Sequence, residues 1–466
     1  MNLSFGKYAP TLCRRFFWVG WFAFFAAPSF GQNPASPSPV LAQYLTQGLA
    51  SNQGLHQQKF LLEKSLYALK EASGLFLPSV NLGGSYTLAA GGRRISFPVG
   101  DLLNPVYATL NQMTNSDRFP QIANVNEQFL PNNFYDVRLR TSQPLLNAEI
   151  YYNRQIKREF VGLQQAEVQV YKRELVKEIK KAYFQFLQAS EAAKIYENAL
   201  VLLGESKRVN ESLVRNGSAN GTVLARTEGE LTKIQAQLTE AKYNRQNAAA
   251  YLNFLVNQPL ETAVVTDTLM TTGRVGLPVR LDTVMGNREE LLKLATVKNI
   301  NQLSLKLNRS FFMPKLGVQL DLGSQAFKWQ FNGQSRYALA AIALDWTLFA
   351  GNRNTNKIKQ AERDLSASES QYGQVQNQLQ LQLLTATNSY YAAFAVQEGS
   401  AQQITAAQRY FGDTEKRYRA GQANYIEYLD ARTELTNALL QRSIARYNAW
   451  TKLAEVERAQ ASYLLD

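Results

Sequence analysis

Hydrophobic and polar positions along the chain change period several times, and each change marks an element. From 41 to 74 apolar residues such as Leu45, Leu49, Phe60, Leu62, Leu66 and Leu69 recur at helical spacings, which predicts one helix ended by Pro78. Strict alternation follows. Val80, Leu82, Gly84, Tyr86 and Leu88 fall on one face, with Asn81, Gly83, Ser85 and Thr87 on the other, which predicts a strand over 79–89. Residues 91–133 carry Pro98, Pro105, Pro120 and Pro131 among many Asn, and read as a long loop. A second strand, 134–146, sets Tyr135, Val137 and Leu139 against Asp136, Arg138 and Arg140. Three charges on one face and none on the other suit a membrane strand with a watery lumen behind it. A soluble sheet with one wet face has the same alternation.

From 147 to 258 the period is helical and proline is absent after Pro144 until Pro259. Only Asn216-Gly217-Ser218-Ala219-Asn220-Gly221 interrupts the run, and Gly and Asn accept the positive φ of a reversal. The reading is a helical hairpin whose first arm, about 65 residues, is roughly 100 Å long. On the returning arm Leu231, Ile234, Leu238, Ala241, Ala248, Leu252 and Leu255 form a heptad-type seam. A stalk without a pore would show the same pattern.

The same order then returns. An irregular linker, 259–285, leads into a helix over 287–309, a strand over 315–324, a short loop over 325–335, a strand over 336–349 and a second hairpin over 351–465. Gly217 and Gly421 are 204 positions apart, whereas Leu77-Pro78 and Met313-Pro314 are 236 apart. The offset therefore shrinks across the strand pair, so the first inter-strand loop is the longer one. The repeats are 41–258 and 286–466. Four strands per chain cannot close a barrel, and open edges cannot face lipid, so strands that span a membrane require oligomerisation.

Composition narrows the class. After the N-terminus no run of about 20 apolar residues occurs, which predicts no ordinary transmembrane helix. Residues 1–31 read as a secretory signal: Lys7, Arg14 and Arg15, an apolar core over 16–27, and Ser29-Phe30-Gly31 as cleavage site. A Pro/Ser-rich leader, 32–40, follows. Cleavage takes the formal charge from +13 to +10 and removes Cys13, the single cysteine. Basic residues alternate with acids, as in Lys172-Arg173-Glu174, so a solvated helix face is favoured over a nucleic-acid site. One histidine, no mature cysteine and no phosphate-cradling glycine loop exclude the usual metal, cofactor and nucleophile constellations.

The chain resembles the TolC-like outer-membrane efflux protein family over nearly the whole mature sequence. Arg417-Tyr418-Arg419-Ala420-Gly421-Gln422-Ala423-Asn424-Tyr425-Ile426-Glu427-Tyr428-Leu429-Asp430-Ala431-Arg432 looks like the tip of the second hairpin. Leu213-Val214-Arg215-Asn216-Gly217 through Leu224-Ala225-Arg226 looks like the first tip, and Trp346-Thr347-Leu348-Phe349-Ala350-Gly351 like the strand-to-helix junction. The resemblance implies a mixed α and β membrane protein: a homotrimer with a 12-stranded β-barrel in outer-membrane lipid, continuous with a periplasmic tunnel of coiled helices. It implies a passive exit duct and no enzyme, metal or cofactor. The partners are a periplasmic adaptor and an inner-membrane pump of the resistance-nodulation-division or ATP-binding cassette type. A protein-secretion duct is the alternative within the class, and a non-conducting periplasmic scaffold the alternative outside it. By the same resemblance Glu427 and Asp430 form an acidic ring at the periplasmic aperture. Thr222 and Ala225 stand at the equivalent places of the first hairpin, so the ring comes from the second repeat alone. Arg215, Asn216, Gly217, Arg419, Ala420 and Gly421 are the adaptor-docking tips. Asp136, Arg138, Arg140, Gln319 and Asp321 are the polar residues expected to face the barrel lumen.

Overall fold

The computed structural model describes residues 38–267, 270 and 288–463. The expected signal segment, most of the leader and most of the 259–285 linker lie outside them. Among the described residues no helix is long and apolar enough to cross a membrane.

Two helices open the described residues, α1 (Pro39–Ser51) and α2 (Gln53–Gly74). The sequence pattern predicts one helix here; the break at Asn52 corrects it. Asn52 leaves the helical region (φ −62°, ψ 124°) and its side chain accepts from Leu55 N. That side chain also donates to the Leu255 carbonyl at 2.8 Å. A buried amide capping one helix while reaching a distant carbonyl outweighs continuity of the helix.

Strand β1 (Ser79–Thr87) runs away from the helices, and β4 (Phe134–Leu146) returns. Between them the expected long loop is a folded insert. It consists of β2 (Arg94–Phe97), α3 (Val99–Thr114) and β3 (Val125–Gln128), with β2 and β3 antiparallel. Proline density suggested a loop, but Pro98 stands at the α3 N-cap and Pro105 is accommodated inside the helix. The helix ends at Asn115 in the left-handed region.

Helix α4 (Ala148–Arg215) follows, 68 residues or roughly 100 Å. Asn147 caps it, accepting from Glu149 N and Ile150 N. Helix α5 (Gly221–Leu255) returns antiparallel, capped by Asn220. Then come α6 (Glu289–Arg309), β5 (Lys315–Phe327), β6 (Arg336–Asp345), α7 (Arg353–Arg419) and α8 (Tyr425–Gln460). Strand β6 stops four residues earlier than the expected 349, and β5 runs three residues past 324. At the junction the Trp346 indole leaves the ladder and donates to the Phe312 carbonyl at 3.0 Å. The order helix, strand, strand, long helix, return helix thus runs twice.

β1, β4, β5 and β6 form one antiparallel sheet in that spatial order. Below it α4 lies between α5 and α8, α8 packs on α7, and α6 bridges α4 and α7. The main core gathers where α1 and α2 lie on α4, around Leu45, Leu55, Ile179, Tyr183, Leu252 and Val256. Close approach there depends on Gly48: a Cβ at that position would stand 2.3 Å from Ile179 Cδ1. The α5 seam packs as its spacing predicts, with Ile234, Leu238, Ala241, Leu252 and Leu255 buried.

Candidate functional site

Cross-strand pairing determines which side chains share a face. Arg140 stands opposite Asp321 on β5 and opposite Asn81 on β1; Ser142 stands opposite Gln319. Asp136, Arg138, Arg140, Gln319 and Asp321 therefore all project from one side of the sheet. They also bind one another. The Arg140 guanidinium donates to both Asp321 oxygens at 2.9 and 2.8 Å, and Gln319 donates to Asp321 at 2.9 Å. Arg138 reaches Asp136 at 3.3 Å, and the Tyr337 hydroxyl donates to Asp136 at 3.1 Å. The sequence pattern missed Tyr337, because β6 is otherwise apolar between Arg336 and Asp345.

The opposite face is apolar and open. Leu82 is 76% exposed, Ile342 74% and Leu344 65%. At the end remote from the helices this face finishes in an aromatic cluster. Trp329 stacks on Tyr86 at 4.7 Å and on Tyr135 at 5.4 Å, and Phe331 lies 4.5 Å from Tyr135. At the helical end stand Phe312, Trp346, Leu348 and Phe349, all exposed. Among the described residues no strand pairs with the outer edge of β1 or of β6.

The hairpin tips form the other candidate region. Arg215 and Asn216 are exposed and Gly217 turns with φ +72°; Arg419 and Ala420 are exposed and Gly421 turns with the same φ. Arg215 Nε donates to the Glu211 carbonyl, and Arg419 pairs with Glu415 at 2.7 Å. Glu427 is the third residue of α8. Its backbone N–H donates to Asn424 Oδ1 and its carboxylate accepts from Asn424 Nδ2, each at 2.9 Å, so Asn424 caps the helix and Glu427 holds the capping amide in place. Arg417 stands 3.7 Å from it. Asp430, one turn on, is exposed and accepts from the Tyr410 hydroxyl at 3.4 Å.

Just above the tips lies a polar relay that the sequence reading did not find. The Tyr418 hydroxyl donates to Asn210 Oδ1 at 2.6 Å, and Asn210 Nδ2 donates to Thr227 Oγ1 at 2.9 Å. Thr227 Oγ1 and the Tyr425 hydroxyl are 2.8 Å apart. The relay joins the α4–α5 hairpin to the α7–α8 hairpin. Arg432 is buried beside it, donating to the Ala199 carbonyl at 3.2 Å. Burial pulls the Arg432 guanidinium below its ordinary pKa. Tyrosines at helical spacing read as core; only the facing Asn and Thr reveal the relay, and those belong to the other hairpin.

Farther up, α4, α6 and α8 are clamped by charge. Arg173 meets Glu289 at 2.6 Å, and Arg458 meets Glu290 at 2.6 Å and Glu174 at 3.2 Å. Burial opposes the charge on Glu290, but hydrogen bonds from Arg288 and the charge of Arg458 outweigh it and hold the carboxyl at about 2. Among the described residues no cluster of His, Cys, Asp or Glu has metal-holding geometry.

Comparisons with known proteins agree on the fold. Residues 281–461 match the family model of the outer membrane efflux protein. The chain is 21% identical over 331 residues to the alkaline protease secretion protein AprF of Pseudomonas aeruginosa, covering 68% of each. It superposes on the outer membrane protein VceC of Vibrio cholerae with a TM-score of 0.71 at 15% identity, covering 90% of this chain and 95% of that one. The MtrE outer membrane channel of Neisseria gonorrhoeae gives 0.72 at 16% identity, covering 92% and 94%.

Proposed function

We propose that the chain is a member of the outer membrane efflux protein family, whose model matches residues 281–461, and that three copies assemble into a duct through the outer membrane and periplasm. On this reading it is an outer-membrane channel protein and not an enzyme. The observation that carries the assembly is the sheet, and the likeness to the efflux family sets the number of copies at three. Four strands with one charged face, one exposed apolar face and two open edges are unstable in lipid alone. Joining β1 of one copy to β6 of the next removes every edge, and three copies make twelve strands.

Dimensions support this reading. Ten residues separate Leu316 from Ala326, roughly 33 Å along a strand. A tilt near 40° reduces that to roughly 25 Å, the height of a membrane barrel's apolar band. The two aromatic groups at its ends are the girdles. Asp136, Arg138, Arg140, Gln319 and Asp321 then line the lumen.

The helices close in the same way. Tyr243 and Phe254 on α5, and Leu381, Leu384 and Val396 on α7, are exposed on the two flanks of the helical layer. Flank against flank, three copies give a twelve-helix tunnel. The two repeats, 41–258 and 286–466, supply equivalent halves of each third, and 1–31 directs export. The tips at Arg215, Asn216, Gly217, Arg419, Ala420 and Gly421 dock a periplasmic adaptor coupled to an inner-membrane pump. Glu427 and Asp430 form an acidic ring at the periplasmic mouth.

Native mass and planar-bilayer conductance of the detergent-extracted protein test the assembly. A trimer with stable conductance is expected; a monomer that stays dispersed without detergent overturns it. Similarity to a protein named for protease secretion supports a second reading, a duct for exported protein. Deletion of the gene separates the two: drug sensitivity without loss of secreted protein supports efflux, and the reverse supports secretion.

A further inference from the structure

The insert between β1 and β4 is a folded unit without a core. In 91–133 only Gly100 is buried, although the segment contains a 16-residue helix and a two-stranded ribbon. Its order comes from polar ties. Asn104 bonds twice with Ile122, Asn111 twice with Phe119, and Asn124 with Asp101. Its apolar side chains are left outside: Phe97, Leu102, Val106, Met113, Phe129 and Leu130 are all exposed, Met113 at 79%. On α3, Leu102, Val106 and Met113 follow spacings of four and seven, one stripe along the helix. An apolar stripe on a unit with no interior of its own marks a contact surface.

Charge and position identify the occupant. A helix that lies on anionic lipid carries Lys and Arg on its polar face. In α3 Asp101 is the sole charged residue, and across 91–133 Arg93, Arg94 and Arg118 balance Asp101, Asp117 and Glu127. The insert grows directly out of β1, the strand whose outer edge is open, at the sheet end remote from the helices. With β6 of the next copy paired to β1, the three inserts rise from one end of the barrel, four strands apart, and meet by leaning over its mouth. We propose that the apolar side of the insert packs against the inserts of the neighbouring copies, so that three of them form a collar that narrows the outer mouth of the duct. This rests on the trimeric reading above.

Two measurements on the full chain test it. Met113→Cys, treated as the assembled protein with a long flexible bis-maleimide, should give covalent dimers and trimers. A Val80→Cys/Ala340→Cys variant, which probes the β1–β6 junction, serves as reference. Cross-linking at the junction but not at Met113 overturns the collar and leaves the trimer standing. No cross-linking at either overturns both. A fluorophore on Met113→Cys that is quenched by lipid-phase quenchers also overturns the collar, because the stripe then lies in the membrane. Replacing 92–130 by a short Gly-Ser turn should raise single-channel conductance roughly two-fold, and unchanged conductance overturns the narrowing.

Discussion

Three single residues separate structural from electrostatic roles. Gly421 turns the second tip with φ +72°, a region that costs an L-residue about 1–2 kcal/mol. Gly421→Ala should therefore speed amide exchange in 416–424 while leaving α8 beyond its first turn protected. Glu427 both holds the Asn424 cap of α8 in place and carries charge. Glu427→Gln keeps an oxygen that can accept from Asn424 Nδ2 and removes the charge. Combined with Asp430→Asn, it should raise conductance of the purified protein and weaken cation block. Unchanged conductance and block would leave Glu427 as a support for that cap and no more. Glu290 makes the pH prediction. Its carboxyl sits near 2 in the fold against 4.5 for the free group, so its stabilisation is complete above pH 4.5 and is lost as pH falls toward 2. An acid titration followed by circular dichroism should show that loss, and Glu290→Gln should flatten it.

Elements show where neighbours overrule local pattern. The relay from Tyr418 through Asn210 and Thr227 to Tyr425 holds two hairpins together with buried polar atoms. Removing one member strands the others, at about 1–3 kcal/mol. Asn210→Ala should thus loosen both tips together, seen as faster exchange in 206–227 and in 414–432. Loosening confined to the α4 arm would mean the relay does not couple the hairpins. The insert makes the same point at the level of a segment. Its prolines and asparagines read as loop residues, yet Asn104, Asn111 and Asn124 are the cross-ties that fold it. A side-chain amide that closes a tertiary contact has the same signature in sequence as one that merely tolerates a turn.

For the whole molecule, the helical pairs and strand faces were legible because each obeys a period. Repeats of 3.6 and 2 survive in one dimension, and so does the doubling marked by Gly217 and Gly421. The glycine turns needed no partner to be read, because positive φ is a property of one residue. The sequence also determined that Asp136, Arg138 and Arg140 share a face, since alternation alone dictates that. It did not determine that Arg140 meets Asp321, that Asn52 splits the first helix to reach Leu255, or that β6 ends at Asp345. Each of these depends on a residue far away along the chain, and only the fold brings it near. Register, capping across helices and the relay at the tips are properties of pairs, and pairs are decided by tertiary structure.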